Sequence, residues 1–300
     1  MIGTTPPGCV LAFDDERGFA AALAGALQVP LALIERHRFP DGELRLRLPA
    51  TLPRSVVLLR SLHQPNEKLV ELLIAAPAAR ELGAQRLVLV CPYLAYMRQD
   101  IAFSPGEAVS QRHVAGLLAR HFDAVLTVDP HLHRIAALQD VMPGCRAVSM
   151  SAAALVGAWV AQRVKRPLLL GPDEESAQWV RKAARACSPV PDHAWCVKQR
   201  HGDHDVQVTL PPGLRCEGRA VVLIDDMTST GRTLMAAARL ALAAGAATVD
   251  AAVTHALFTG DAMEALKATG VGQVWSTNCV PHASNSISVV PLLADAVLQC

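Results

Sequence analysis

The 300-residue chain reads as an α/β protein built from two similar domains, each a mostly parallel sheet flanked by helices. Short β-branched or leucine-rich runs alternate with alanine-rich amphipathic stretches, the order expected of βα units. The length suits two domains of about 150 residues better than one. A stretch bearing Pro and Gly, VMPGCRAVSM (141–150), separates two helical regions and marks a boundary. The domains are therefore expected at 1–146 and 147–287, with a C-terminal helix at 288–300 packed on the first.

In the first half, strands are expected at 8–13, 43–49, 55–60, 86–91 and 124–128, and helices at 15–27, 65–82 and 109–121. The helix PNEKLVELLIAAPAAREL has apolar residues at helical spacing, Pro65 at its start and Gly83 just beyond its end. Pro77 inside it predicts a kink or a break. In the second half, strands are expected at 167–171, 192–198, 206–210, 219–225, 248–254 and 273–277, and helices at 150–163, 174–187, 231–244 and 260–270. The segment CVKQRHGDHDVQVTL differs in kind, because two strand-like runs flank a polar tip, Gly202 to Asp205. It reads as a β-hairpin or an exposed flap.

Composition excludes several classes. Although 51 % of residues are hydrophobic, no run reaches the ~18 uncharged apolar residues of a membrane span. The N-terminal stretch lacks a basic region followed by an apolar one and a small-residue cleavage site, so the expected compartment is the cytoplasm. Eight scattered cysteines, without CxxC or zinc-type spacing, read as reduced thiols packed as small apolar residues. A net charge of +1 leaves no broad electrostatic footprint for nucleic acid, so a phosphate ligand would have to be met locally. Only five of the 28 basic residues are lysines, which draws attention to Lys198 in a polar loop. There is no GxxxxGK[ST] and no GxGxxG after a strand, which removes the P-loop and dinucleotide-binding readings.

The segment VVLIDDMTSTGRTL (221–234) carries the strongest local chemistry. An apolar strand ends in Asp225 and Asp226, and Thr228, Ser229, Thr230, Gly231, Arg232 and Thr233 lead into an alanine-rich helix. Amides and hydroxyls at a helix N-terminus bind anions, because the first N–H groups are unpaired and the helix dipole is positive there. The two carboxylates would repel a bare phosphate and suit sugar hydroxyls, or the outer shell of a phosphate-bound magnesium.

DDMTSTGRTL closely resembles the ribose-phosphate loop of the type I phosphoribosyltransferase fold, shared by transferases that consume phosphoribosyl pyrophosphate and the synthetase that makes it. Further segments, in order, resemble the synthetase, ribose-phosphate diphosphokinase: RFPDGELRLRL (38–48), CPYLAYMRQDIAFSPGEAVS (91–110), VDPHLHRI (128–135), GPDEESAQ (171–178), CVKQR (196–200), THALFTGDA (254–262) and VVPLLADAV (289–297). The likeness covers essentially the whole chain. It implies transfer of the β,γ-diphosphoryl unit of ATP to the anomeric hydroxyl of ribose 5-phosphate, with Mg2+ and basic side chains neutralising charge.

By the same resemblance, His131 and Asp173 match the metal-site histidine and aspartate, and Lys198 and Arg200 the catalytic Lys-x-Arg ahead of a mobile flap. Arg98 and Gln99 match the ATP-contacting pair, while Phe39, Asp41 and Glu43 would meet adenine across a subunit interface. That makes a homo-oligomer, at least a dimer, part of the site. Asp225, Asp226, Ser229, Thr230, Gly231, Arg232 and Thr233 would hold ribose 5-phosphate. His133 has no counterpart and reads as surface. Several positions depart from the family: Arg232 replaces a second glycine, Ser229 an aspartate, Pro130 a leucine and Arg134 a glutamine, and Glu174 and Glu175 stand where small residues are common. A non-catalytic regulator that binds ribose phosphate or nucleotide is the competing reading; it has no need of both metal residues and flap charges. A phosphoribosyltransferase is disfavoured by the full second domain and the adenine segment.

Overall fold

The computed structural model describes residues 6–132, 134–200 and 206–300, with backbone alone at 198–200, 206 and 207. The chain divides into two compact units, Met1–Met150 with Val290–Cys300, and Ser151–Val289. His133 and the hairpin tip, Gly202 to Asp205, lie outside the described residues.

Unit 1 runs β1 (Cys9–Phe13), α1 (Arg17–Leu27), β2 (Leu31–Arg38), β3 (Leu44–Arg47), β4 (Ser55–Leu59), α2 (Pro65–Glu81), β5 (Arg86–Cys91), α3 (Ser110–His121), β6 (Ala124–Val128) and β7 (Arg146–Met150). The sheet order is β3-β2-β1-β4-β5-β6-β7, parallel throughout except for the antiparallel pair β2–β3. β1, β4 and β6 are buried at every position, which is why their sequences are apolar apart from Ser55 and Thr127. Each Val or Leu so removed from water contributes roughly 1.5–3 kcal/mol. Two strands escape the sequence pattern. β2 ends in Glu35, Arg36, His37 and Arg38, and the short edge strand β7 is half-exposed.

Of the kink or break expected at Pro77, the break does not occur, and α2 continues through it. Ala75, Ala76 and Ala79 are buried while Pro77 is exposed, so packing of the alanine face carries the helix past the missing N–H.

Unit 2 runs α4 (Ala153–Arg163), β8 (Leu168–Gly171), α5 (Ala177–Arg185), β9 (His193–Trp195), β10 (Val197–Arg200), β11 (Val206–Thr209), β12 (Ala220–Thr228), α6 (Arg232–Ala243), β13 (Thr248–Ala256), α7 (Ala262–Ala268), β14 (Val271–Thr277) and β15 (Asn285–Ile287). Its parallel sheet has the order β15-β14-β13-β12-β8-β9. The last helix, α8 (Val290–Gln299), belongs to unit 1, where it packs on α1, β6 and β7.

One continuous strand was expected at 192–198, and two are found. β9 pairs with β8 as far as Trp195, the Cys196 N–H donates to Gly171 O at 2.8 Å, and the chain then leaves the sheet as the antiparallel ribbon β10–β11. β15, three residues rich in polar side chains, had no sequence signal.

The strand order reverses between β1 and β4 in unit 1 and between β8 and β12 in unit 2. In open α/β sheets ligands bind outside the carboxyl ends of the strands at such a reversal.

Replacing Pro77 by Ala is expected to restore a helix hydrogen bond on the exposed face and stabilise the protein by about 1–3 kcal/mol. Urea unfolding checks this; an unchanged or lower midpoint would mean that the helix is not continuous there.

Candidate functional site

In unit 2 the reversal crevice is framed by the carboxyl ends of β8 and β12. β12 pairs with β8 only as far as Leu223↔Leu170, whereas its pairing with β13 continues to Thr228↔Ala256. Asp225 and Asp226 therefore do not terminate the strand, as the sequence pattern implied. They lie within it, just past the point where β8 ends, because β13 keeps the backbone extended for two more residues. Asp226 is buried, and Asp225 retains some exposure.

The loop after β12 is braced from behind. Leu257 N–H donates to Thr228 O at 2.9 Å and Thr259 N–H to Ser229 O at 3.1 Å, so the loop after β13 holds the hydroxyl run in place. Gly231 adopts φ +70, a left-handed conformation that only glycine takes without strain, and starts α6 at Arg232. No side chain caps this helix, so its first N–H groups face the loop with no intrahelical acceptor. Thr230, Arg232 and Thr233 are exposed there, and Ser229 is half-buried. For Arg232 the structure gives a place, the first residue of α6, and no partner that explains the choice of arginine.

Asp173 follows β8 on the other wall. Its Oδ1 accepts the N–H groups of Glu175 (3.1 Å) and Ser176 (3.2 Å), which fixes the turn into α5. Gly171 is required beneath it, since a Cβ would lie 2.2 Å from Ser176 Oγ and 2.9 Å from Trp195 Cβ. The carboxylates of this crevice act on one another. Desolvation in dense surroundings pushes the Asp225 carboxyl well above the usual carboxylate range, and the charges of Asp226 and Asp173 push it the same way; the Asp226 N–H, 3.0 Å from Asp225 Oδ1, opposes them.

No group of three or more His, Cys, Asp or Glu side chains forms a metal cage among the described residues. Mg2+ does not need one: it keeps several waters and takes one or two carboxylates plus substrate phosphates. The all-oxygen donors Asp173, Asp225 and Asp226 are of the chemistry that fits such an ion.

On the ribbon, Lys198 and Arg200 stand at alternate register positions, opposite Val208 and Val206, and their side chains lie outside the described residues.

In unit 1 the expected nucleotide residues all follow strands at the carboxyl edge of the sheet. Phe39, Asp41 and Glu43 form the exposed turn between β2 and β3. Phe39 N–H donates to Glu43 O at 2.8 Å, and Glu43 N–H to Asp41 Oδ1 at 3.1 Å. Arg98 is exposed after β5; Gln99 turns its amide to Ile101 O at 3.0 Å. His131 follows β6, next but one to Asp129, a buried residue at φ 37. Tyr96, at φ 65, precedes Arg98 in the same way; such strain in non-glycine residues gathers at functional loops. β2 and β5 are separated by β1 and β4, roughly 14 Å at ordinary strand spacing. Within one chain the Phe39 turn and Arg98 are thus at different places along the edge.

Comparison with known proteins gives this geometry a context. Residues 9–121 match the model of the N-terminal domain of ribose phosphate pyrophosphokinase, and residues 207–294 match the phosphoribosyl synthetase-associated domain. A ribose-phosphate pyrophosphokinase of Methanopyrus kandleri is 40 % identical over 291 residues, covering 96 % of this chain and 98 % of its own. The chain belongs to the ribose-phosphate pyrophosphokinase family. Its counterpart in Methanosarcina acetivorans is 33 % identical over 93 % of this chain and 95 % of its own. The crystal structure of phosphoribosylpyrophosphate synthetase from Mycobacterium smegmatis superposes with a TM-score of 0.82 at 25 % identity, over 96 % of this chain and 97 % of that one. Both the resemblance drawn from the ordered motifs and the α/β architecture of parallel sheets with flanking helices are borne out.

The raised Asp225 carboxyl has a measurable consequence. An unfolded aspartate titrates near ~3.9, so between that pH and the raised native value the folded protein holds the extra proton, and stability falls as pH rises. In metal-free buffer, Asp225→Asn should raise the melting temperature at pH 8, by about 2–4 °C for each kcal/mol relieved, and have little effect at pH 4. An equal shift at both pH values would contradict the crowding of carboxylates.

Proposed function

We propose that this protein transfers the β,γ-diphosphoryl unit of ATP to the C1 hydroxyl of ribose 5-phosphate, giving phosphoribosyl pyrophosphate and AMP. The observation that carries the reading is the β12–α6 crevice: paired carboxylates beside a braced loop of hydroxyls and helix N-terminal amides, in a chain of this family.

Ser229, Thr230, Gly231, Arg232 and Thr233 receive the 5-phosphate, through amides, hydroxyls and one guanidinium. Asp225 and Asp226 accept the ribose hydroxyls and so aim C1 and its oxygen. Arg98 takes triphosphate oxygens with its planar donors, and Gln99 exchanges its bond to Ile101 O for one to the nucleotide. Lys198 and Arg200, on the ribbon ahead of its tip, neutralise the charge that develops on the moving phosphoryl groups as the flap closes and excludes water. Mg2+ bound at Asp173 of unit 2, beside Asp225 and Asp226, and Mg2+ bound at His131 of unit 1 would supply charge neutralisation at the phosphates.

Phe39, Asp41 and Glu43 are assigned to the adenine of a neighbouring subunit, an arrangement favoured by the strand spacing that separates them from Arg98. A homo-oligomer, at least a dimer, follows. Eight buried free thiols favour a reducing compartment, and we place the protein in the cytoplasm; no described helix is long and apolar enough to cross a membrane.

The test is to mix the protein with ATP, ribose 5-phosphate and Mg2+ and follow nucleotides. Stoichiometric AMP is expected, with loss of turnover on chelation by EDTA. ADP would mean an ordinary kinase, and binding without turnover a regulator. Lys198→Ala should lower kcat by about 10²–10³ or more, the scale of losing a transition-state charge partner, while the melting temperature stays almost unchanged. An unaffected rate would remove Lys198 from the mechanism.

A further inference from the structure

Asp100 ends the Arg98-Gln99-Asp100 triplet and is itself 4 % exposed. Its Oδ1 accepts one hydrogen bond, from Arg134 Nη1 at 2.7 Å, and among the described residues its buried Oδ2 has no hydrogen-bond partner. The Arg134 side chain is half-exposed while that of Asp100 is completely covered. A buried carboxylate with one guanidinium partner is poorly compensated once that partner goes, because the charge must then find water.

The position of this pair matters more than its strength. β5 and β6 are adjacent and parallel, and the pair joins the loops that follow them. On the other side the same loop is held by α3: Gln111 Nε2 donates to Met97 O at 3.1 Å and Gln111 N–H to Gln99 O at 3.2 Å. Arg98 and Gln99 therefore sit between two anchors, and Arg134 supplies the one facing β6. Gln99 depends on it further, since its amide rests on the carbonyl of Ile101, the residue after Asp100. Arg134 is also three residues beyond His131, so one ion pair sets the course of both loops.

We propose that Arg134 is a positioning residue for nucleotide binding: through Asp100 it locks the loop after β5 to the loop after β6 and holds Arg98 and Gln99 in register for the triphosphate. The inference rests on reading this edge of unit 1 as the ATP site. Arg134 acts through the carboxylate it covers, without touching the nucleotide.

Four variants separate this from other roles: Arg134→Gln, Arg134→Lys, Asp100→Asn and the double Arg134→Gln/Asp100→Asn, each checked for an intact melting transition. Steady-state kinetics should show Arg134→Gln raising KM for ATP about tenfold or more, the scale of a displaced binding group, with kcat and KM for ribose 5-phosphate within about twofold. Arg134→Lys should recover most of the loss. The double variant should lie nearer wild type than Arg134→Gln, because it removes the stranded charge together with its partner. A wild-type KM for ATP in Arg134→Gln overturns the proposal. So does a silent Asp100→Asn combined with a double variant no better than Arg134→Gln, which would mean direct contact with nucleotide.

Hydrogen exchange of the ligand-free protein gives an answer independent of activity. Amides 97–101 should exchange about tenfold faster or more in Arg134→Gln, while those of β5 keep their wild-type protection. Unchanged exchange at 97–101 overturns the proposal. If wild type forms no AMP but the variant loosens this loop, the assigned reaction fails and the locking role stands.

Discussion

Asp225 and Asp226 follow four buried apolar residues of β12, Val221 to Ile224, so the strand's own burial carries two carboxylates into the crevice. Burial raises the Asp225 carboxyl, and the charges of Asp226 and, from the facing wall, Asp173 raise it further. The rest of the site answers this constraint. In the complex we propose, the loop of hydroxyls and amides takes the phosphate while the carboxylates take the hydroxyl groups of the same ligand. A bare anion would meet repulsion and a bare sugar would leave the helix N-terminus unused.

Unit 1 resolves the equivalent place in its sheet differently. At its own reversal, between β1 and β4, Arg60 is 1 % exposed and stands among Asp15, Glu16 and Glu71, with Nη1 2.8 Å from Asp15 Oδ1 and 3.1 Å from Glu16 Oε2. Its guanidinium also lies 4.5 Å from the centre of the Phe13 ring. Arg36 pairs with Asp15 and Glu71, and Lys68 adds a third positive charge near Glu16, so three cations meet three carboxylates within the chain itself. The sheets of the two units share one wound pattern, yet one crevice pairs its acids with basic side chains, while in the other burial and acidic neighbours raise the Asp225 carboxyl. That contrast supports our assignment of the ribose-phosphate chemistry to unit 2 and of the nucleotide to the loops after β2, β5 and β6 in unit 1.

How far this could be read from sequence depended on whether the determinant was local. Central strands such as Ser55–Leu59 and Ala124–Val128 were legible because burial on both faces leaves a run that is apolar at four of five positions. The carboxylate-hydroxyl loop was legible because its whole chemistry lies within a dozen residues. The extension of β12 beyond its acids was not, since it is imposed by pairing with Met227↔His255 and Thr228↔Ala256 across the sheet. β2 was hidden by its charged half, and the Arg60 cluster draws its members from three separate elements. The Asp100–Arg134 pair spans 34 positions, and only its departure from the family's glutamine marked Arg134 in advance.

The central claim is that the paired acids and the hydroxyl loop of unit 2 hold one ribose 5-phosphate. The most direct measurement is a crystal structure of the protein with ribose 5-phosphate, Mg2+ and a non-hydrolysable ATP analogue. The account predicts the 5-phosphate within hydrogen-bonding distance of the amides of residues 229–233 and the ribose hydroxyls facing Asp225 and Asp226. Ribose 5-phosphate bound elsewhere, with this crevice left to solvent, would contradict it.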